Sequence, residues 1–279
     1  MLNLINTGSS GLGLAYVDAL TKAGAFVVNG DIQPPQTVAH PDRTFFVQCD
    51  VTSWEQQVEV FRVAREKSPN GRLDVVIANA GIYGPDVLDG LDDDEPQKPS
   101  IKLLDVNLVG VLYTAKLAGW HFHHDKTKDG DRCLILVSSI MGYIDTQGSS
   151  VYSAAKHGVR GVMTCLRRKG LVRVNCLAPW FIATSIMPKS FIESTGAQFR
   201  AKGVDFAITD DAVLAVARLV TDTSINGRTL GIVPRQLSPS GYMDLESDDF
   251  EEGEPLDKLQ SVASSLIYGE FGASKGKGV

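Results

Sequence analysis

Leu2-Asn3-Leu4-Ile5-Asn6-Thr7-Gly8-Ser9-Ser10-Gly11-Leu12-Gly13 sets a short apolar run against a loop of three glycines, and a helical pattern from Leu14 to Ala23 follows. The run reads as a buried strand. Gly8, Gly11 and Gly13 permit a tight turn, close backbone approach to a ligand, and close packing of helix on strand. The helix N-terminus offers unpaired N–H groups, which suit the oxygens of a pyrophosphate. After Gly24 a second strand, Ala25-Phe26-Val27-Val28-Asn29, ends at Gly30-Asp31. Asp31 stands 31 − 13 = 18 positions beyond the last glycine, near the offset of roughly 20 at which an acid binds an adenosine ribose. Strand, loop, helix, strand and acid in register point to a dinucleotide-binding unit.

The alternation continues along the chain. Strand patterns at 2–6, 25–29, 44–48, 73–78, 132–138, 171–177 and 229–233 interleave with helical patterns at 11–23, 53–67, 100–121, 150–168 and 209–221. That order predicts a single α/β domain, a doubly wound parallel sheet of about seven strands flanked by helices. Its carboxyl edge gathers Gly8, Asp31, Asp50, Asn79, Ser139 and Pro179 along one crevice, where open α/β sheets bind ligands. The domain is expected over 1–235. Residues 236–279 read as an acidic, partly flexible extension, in which Asp244, Glu246, Asp248, Asp249, Glu251, Glu252 and Glu254 precede a short helix near 255–267.

A second chemical signature lies in Tyr152-Ser153-Ala154-Ala155-Lys156, with Ser139 thirteen positions before the tyrosine. A tyrosine and a lysine four residues apart share one helix face. Free tyrosine titrates near ~10 and is a poor proton carrier at neutral pH. An adjacent ammonium is expected to lower that pKa and make the phenol a usable acid or base. Ser139, at a strand end, supplies a hydroxyl for a substrate oxygen. The set moves a proton on and off a carbinol, and the glycine loop seats the partner that moves the hydride.

On these residues the chain resembles the short-chain dehydrogenase/reductase family over nearly its whole length, and is similar to the 15-hydroxyprostaglandin-dehydrogenase-like branch found among fungal metabolic enzymes. Thr7 to Gly13 matches the family's glycine motif. Asp50-Val51 matches its adenine-pocket acid, Ala78-Asn79-Ala80-Gly81 its strand-end motif, and Asn107 its helix asparagine. Ser139, Tyr152 and Lys156 match its catalytic set, and Arg173-Val174-Asn175 with Pro179 to Thr184 its nicotinamide-packing segment. The resemblance implies a Rossmann-type domain that interconverts a secondary alcohol and a ketone. Tyr152 would take the proton, Ser139 hold the oxygen, and Lys156 bind the nicotinamide ribose. Asn107 would fix a relay water, with Thr184 bonding the carboxamide beside the Ile182 backbone. Cofactor contacts are expected from Gly8, Ser10, Gly11, Leu12, Gly13, Asp31, Ile32, Asp50, Val51, Asn79, Ala80, Gly81, Pro179, Ile182 and Thr184, besides Tyr152 and Lys156. Ser9, Ser10, Ile32 and Gln33 are neutral, and Asp31 repels a 2′-phosphate, so NAD is expected over NADP. A homodimer through the helices of Asn107 and Tyr152 is implied, with a tetramer left open.

The chain also departs from the pattern. Ala78 replaces the first asparagine of the strand-end motif, and Trp180 replaces the glycine usual after Pro179. The indole is placed to stack near the nicotinamide, to line the substrate pocket or to restrict it. Lys156 and Arg173 are only 17 positions apart, so the catalytic helix must stop early, near Arg168-Lys169-Gly170. A lid between Met187 and Val204, mixing Phe191, Ile192 and Phe199 with polar residues, suits a mid-sized, largely apolar alcohol or ketone from secondary metabolism. An NADP-dependent ketoreductase, a cyclase or isomerase without net redox, and a cofactor sensor are the alternatives.

Composition narrows the partners. Of the 279 residues 43% are hydrophobic, enough for a large core, and the formal net charge of −6 argues against a nucleic-acid partner. No apolar run reaches the ~18 residues of a membrane span. Met1-Leu2-Asn3 leads straight into a strand, so no signal peptide is expected. Cys49, Cys133, Cys165 and Cys176 are widely spaced, which suits reduced thiols in the cytoplasm. His121-Phe122-His123-His124 lacks metal-ligand spacing and reads as a helix end, so no metal is expected.

Overall fold

Apolar side chains that alternate along a strand go to opposite faces of a sheet, and here both faces are covered. In the computed structural model, residues 1–89, 94–125, 130–184, 187 and 189–270 are described, with side chains of the last helix described to 264. Among the described residues eight strands form one sheet: β1 (Leu2–Asn6), β2 (Phe26–Asp31), β3 (Thr44–Gln48), β4 (Val75–Ala78), β5 (Cys133–Val137), β6 (Arg173–Pro179), β7 (Thr229–Ile232) and β8 (Tyr242–Asp244). Their spatial order is β3-β2-β1-β4-β5-β6-β7-β8. The first seven are parallel, and β8 runs antiparallel to β7.

The helices in chain order are α1 (Gly11–Lys22), α2 (Trp54–Lys67), a short α3 (Lys102–Leu104), α4 (Gly110–His123), α5 (Ser150–Leu166), α6 (Lys189–Ala201), α7 (Thr209–Thr221) and α8 (Pro255–Glu270). Leu2 and Leu4 of β1, Val76 of β4 and Leu134 of β5 share one core with Phe61 of α2, Ala118 of α4 and Met163 of α5. Their alternates Ile5, Ile77 and Ile135 share the other with Tyr16 of α1 and Leu219 of α7. This is the doubly wound sheet read from the sequence.

To the expected sheet of about seven strands the fold adds an eighth at its edge. Tyr242–Asp244 lies in what reads as an acidic extension, yet it pairs with β7, and Asp244 accepts from the Arg228 guanidinium at 2.6 Å. The first compact unit therefore runs from Met1 to Leu245, past the boundary expected at 235. The second unit, Glu246–Val279, contains α8, along which Leu256, Leu259 and Val262 are exposed. Residues 271–279 of the expected acidic extension lie outside the described residues. Among those described, no helix is long and apolar enough to cross a membrane.

Two further differences bear on the site. The helix expected over 100–121 is interrupted by a wide π turn at Asp105–Val109 before α4 begins; such turns often mark functional positions. The expected early stop after the Tyr152 helix is present. Leu166 passes into a 3₁₀ turn, Arg167–Lys169, that closes on Gly170 at φ 63°.

At the centre of the sheet Asn6, 4% exposed, ties the ends of β1 and β4. Its Oδ1 accepts from the Asn79 N–H at 2.6 Å and the Ala80 N–H at 2.8 Å, while Nδ2 donates to Thr114 Oγ1 at 2.9 Å. Thr114 in turn reaches Gln57, whose Nε2 donates to the carbonyls of Val51 and Gly110. Leucine at position 6 would strand two backbone donors near the core, each at a cost of about 1–3 kcal/mol. Asn6→Leu is therefore expected to lose about 2–4 kcal/mol in urea unfolding. An unchanged midpoint would contradict this account of the network.

Candidate active site

The glycine loop is built by contacts that leave no room for side chains. A Cβ on Gly13 would collide with the Thr7 carbonyl oxygen and fall 2.7 Å from Asn79 Nδ2. Thr7 itself sits at φ 60°, a left-handed conformation that costs a β-branched residue energy. Its carbonyl is held by Asn79 Nδ2 at 2.9 Å, and its N–H donates to Gly30 O at 2.6 Å. Gly8 N–H donates to Asn29 Oδ1 at 2.8 Å, and Asn29 Nδ2 donates to Ser9 Oγ at 2.9 Å. Asn29 thus shapes the loop, a role the sequence reading missed. Ser10, at the N-cap of α1, makes no side-chain cap, so first-turn N–H groups face the crevice without that partner.

The expected cofactor residues divide into two groups. Ser10, Gly11, Leu12, Asn79 and Gly81 line a cleft of about 730 Å³ at the carboxyl edge of the sheet. Pro179, Ile182 and Thr184 line it too, with Thr184 Cβ 3.8 Å from where a Gly11 Cβ would stand. Gly8, Gly13 and Ala80 stand behind this surface as structural neighbours. Asp31, Ile32, Asp50 and Val51 lie at the ends of β2 and β3, outside that lining. Asp31 is 5% exposed and accepts from Ser9 N–H at 3.0 Å and Gln33 N–H at 3.3 Å. Its carboxylate braces the loop, with lone pairs left for a further donor. Asp50 Oδ1 accepts from the Thr52 N–H at 2.9 Å, and Val51 packs beneath Gly110. This set fits a dinucleotide: a loop whose Gly8 and Gly13 pack without room for a Cβ and whose Gly11 is left-handed, an uncapped helix N-terminus, and an acid behind the loop.

Ser139, Tyr152 and Lys156 meet in the same cleft. Ser139 stands two residues past β5; its Oγ accepts from Met141 N–H at 3.2 Å and donates to Pro179 O at 3.4 Å. Lys156 is 3% exposed and its Nζ donates to Val137 O at 3.0 Å. Gly81 separates it from Asn107: a Cβ there would lie 3.6 Å from both Lys156 Nζ and Asn107 Oδ1. Asn107, fully buried in the π turn, accepts from Ile82 N–H and donates to Ile82 O, each at 2.8 Å. What this side chain visibly does is clamp the loop after β4.

The electrostatics correct one expectation. Burial pushes the Tyr152 phenol above its ordinary value, with the Ser139 hydrogen bond pulling down and the nearby Tyr83 pushing up. Lys156 lies 5.6 Å from the Tyr152 ring centroid and is itself driven from 10.5 down to about 8 by burial. Desolvation of both groups outweighs the attraction that sequence spacing alone suggests.

One residue of the cleft, Tyr83, escaped the sequence reading. Tyr83 lies edge-on to Tyr152, ring centroids 5.3 Å apart. Trp180 lines the cleft; its Nε1 donates to Asp205 O at 3.1 Å and its ring meets Phe199 at 5.2 Å. The expected lid is a helix, α6, that contributes Phe191 to the same cleft. The histidines at the end of α4 pack on aromatics, His121 on Phe61 at 5.1 Å and His124 on Trp120 at 4.4 Å.

A sequence model described as short chain dehydrogenase matches residues 3–194. The chain is similar to the 5′-hydroxyaverantin dehydrogenase of Dothistroma septosporum, 38% identical over 287 residues, covering 93% of this chain and 90% of that one. It is also similar to the 5′-hydroxyaverantin dehydrogenase of Emericella nidulans, 34% identical, with 92% and 90% covered. Among solved structures, the NADPH-dependent 3-quinuclidinone reductase from Rhodotorula rubra shares the fold, with a TM-score of 0.70 at 24% identity over 83% of this chain and 89% of that one.

The buried lysine has a measurable cost. Below about pH 8 its ammonium is charged in folded and unfolded chains alike, so the burial penalty is carried in full; it fades as pH rises from about 8 towards 10.5. Lys156→Met should therefore stabilise the cofactor-free protein near neutral pH by on the order of 1–3 kcal/mol, a gain that shrinks towards alkaline pH. Urea unfolding at several pH values checks this, and a less stable variant at neutral pH would contradict it.

Proposed function

Because the chain belongs to the short-chain dehydrogenase family, we propose that it oxidises a secondary alcohol on a mid-sized, largely apolar metabolite with NAD as hydride acceptor. The observation that carries this is the convergence of Ser139, Tyr152 and Lys156 in one cleft with the glycine loop. Relatives named as dehydrogenases of 5′-hydroxyaverantin support dehydrogenation of a hydroxyl-bearing small molecule. Trp180, Phe181 and Phe191 give one side of the cleft an apolar wall, which suits a substrate of that character.

When bound, NAD supplies the hydride acceptor and a positively charged ring. The chain's own residues handle the proton and the oxygen. Tyr152, as phenolate, takes the hydroxyl proton as the carbinol C–H bond breaks and the C=O bond forms. Ser139 holds the oxygen while charge develops on it, its own position fixed by the Met141 N–H. Lys156 holds positive charge near the phenol and, with Asn107 and an ordered water, passes the proton outward. Burial raises the phenol above its ordinary value in the empty protein, so positive charge held beside it would favour the phenolate.

Asp31 supports NAD over NADP. Its buried carboxylate faces the loop beside neutral Ser9 and Gln33, and a 2′-phosphate there would meet like charge. The exposed Leu112 and Trp120 on α4 support a homodimer through α4 and α5.

Two outcomes check the reading. Purified protein with NAD and a panel of secondary alcohols should generate reduced cofactor. Tyr152→Phe should cut turnover by about 10²–10⁴-fold while leaving NAD affinity intact. Retained turnover in the variant would overturn the assigned role. Catalytic efficiency with NAD should exceed that with NADP, and Asp31→Ala should narrow the gap. A wild-type preference for NADP would contradict the cofactor assignment.

A further inference from the structure

We propose that Tyr83 and Ser149 form a second hydrogen-bonding station in the substrate cleft, one that recognises a hydroxyl or carbonyl oxygen remote from the reacting carbinol. The inference deepens the dehydrogenase reading and rests on it for the identity of the cleft's occupant. Both residues line the cleft that holds Ser139 and Tyr152. Their hydroxyls are 3.2 Å apart. The Tyr83 ring stands edge-on to Tyr152 and is 54% exposed, while Ser149 is 6% exposed.

The capping of α5 explains why this serine is available. A serine at an N-cap normally spends its hydroxyl on an N–H of the first helical turn. Ser149 occupies that position on α5 and makes no such bond. The cap comes instead from Asp86, whose Oδ2 accepts from the Ser150 N–H at 2.6 Å. Asp86 lies just beyond Tyr83, so one loop both caps the catalytic helix and presents the tyrosine to the serine that the cap has released. Asn107 fixes the base of that loop through Ile82.

The chemistry of the pair defines its ligand. Two hydroxyls sharing one hydrogen bond retain one hydrogen to donate, together with unused lone pairs. They can therefore match a phenol, an alcohol or a carbonyl. Trp180, anchored through its indole N–H to Asp205 O at 3.1 Å, and Phe181 belong to the same cleft. Substrate orientation then has two polar points, Ser139 with Tyr152 at the reacting carbon and Tyr83 with Ser149 at the second oxygen.

The test is calorimetric binding of acetophenone and its ring-hydroxylated isomers to the NAD-loaded full chain, with turnover of the matching 1-arylethanols in parallel. At least one hydroxylated isomer should bind about five- to tenfold more tightly than acetophenone. In Tyr83→Phe and in Ser149→Ala that ratio should fall towards one, with the change in the matching alcohols seen in KM more than in kcat. A merely structural role would weaken both members of a pair alike and leave the ratio standing. That result overturns the proposal, as does equal or undetectable binding of all these ketones to the wild type. A ratio that collapses in the variants without hydride transfer from any alcohol keeps the station and removes the dehydrogenase reading. Tyr152-dependent turnover with no hydroxyl preference does the reverse.

Discussion

At the paired strands β1 and β4 the winding of the chain reverses, and the connections that leave them pass to opposite faces of the sheet. Asn6 ties the two strand ends. Its amide takes the two N–H groups with which the chain leaves β4, and joins them through Thr114 to Gln57 on α2. The same departing residues carry Asn79, which holds the Thr7 carbonyl, and Gly81, which lies against Lys156 and Asn107. Loop, strand end and Lys156 are thus referred to one buried side chain. A crevice must open at this reversal, and the polar network keeps it open without orphaning the backbone.

The second constraint is electrostatic. The site places a lysine and a tyrosine where water is scarce, and burial drives each towards its neutral form. Such a pair is poised to respond to added charge more than an exposed pair, because the local dielectric is low. The burial cost of Lys156 falls on the empty protein, whereas positive charge placed beside the phenol would favour its ionised form. This links the stability of the fold to the chemistry of the site, since the residues that weaken one enable the other.

Much of this was legible from the chain because its governing signals are local. Glycine spacing after β1, the four-residue offset of Tyr152 and Lys156, and the apolar alternation of β4 and β5 each report short-range geometry. Gly170 could be read as an early helix stop for the same reason. What stayed hidden depends on contacts between distant segments. Asn6 and Asn29 look like ordinary strand-end asparagines until the loops they hold are in place. Ser149 stands just before α5, and only the fold shows that Asp86, from another loop, accepts the Ser150 N–H there. β8 sits in an acidic stretch whose composition suggests solvent exposure, and only Arg228 and the edge of β7 recruit it. The sign of the Tyr152 shift was hidden too, because sequence spacing reports proximity and says nothing of desolvation.

The most direct test of the central claim follows the ionisation of Tyr152 itself. Ultraviolet difference spectra of the wild type against Tyr152→Phe, titrated with and without saturating NAD, isolate its phenolate. The account predicts a pKa above the ordinary tyrosine value in the empty protein and a fall towards neutrality when NAD is bound. A phenol that titrates at the same pH in both states would contradict the claim that this buried pair awaits the cofactor's charge to become a proton carrier.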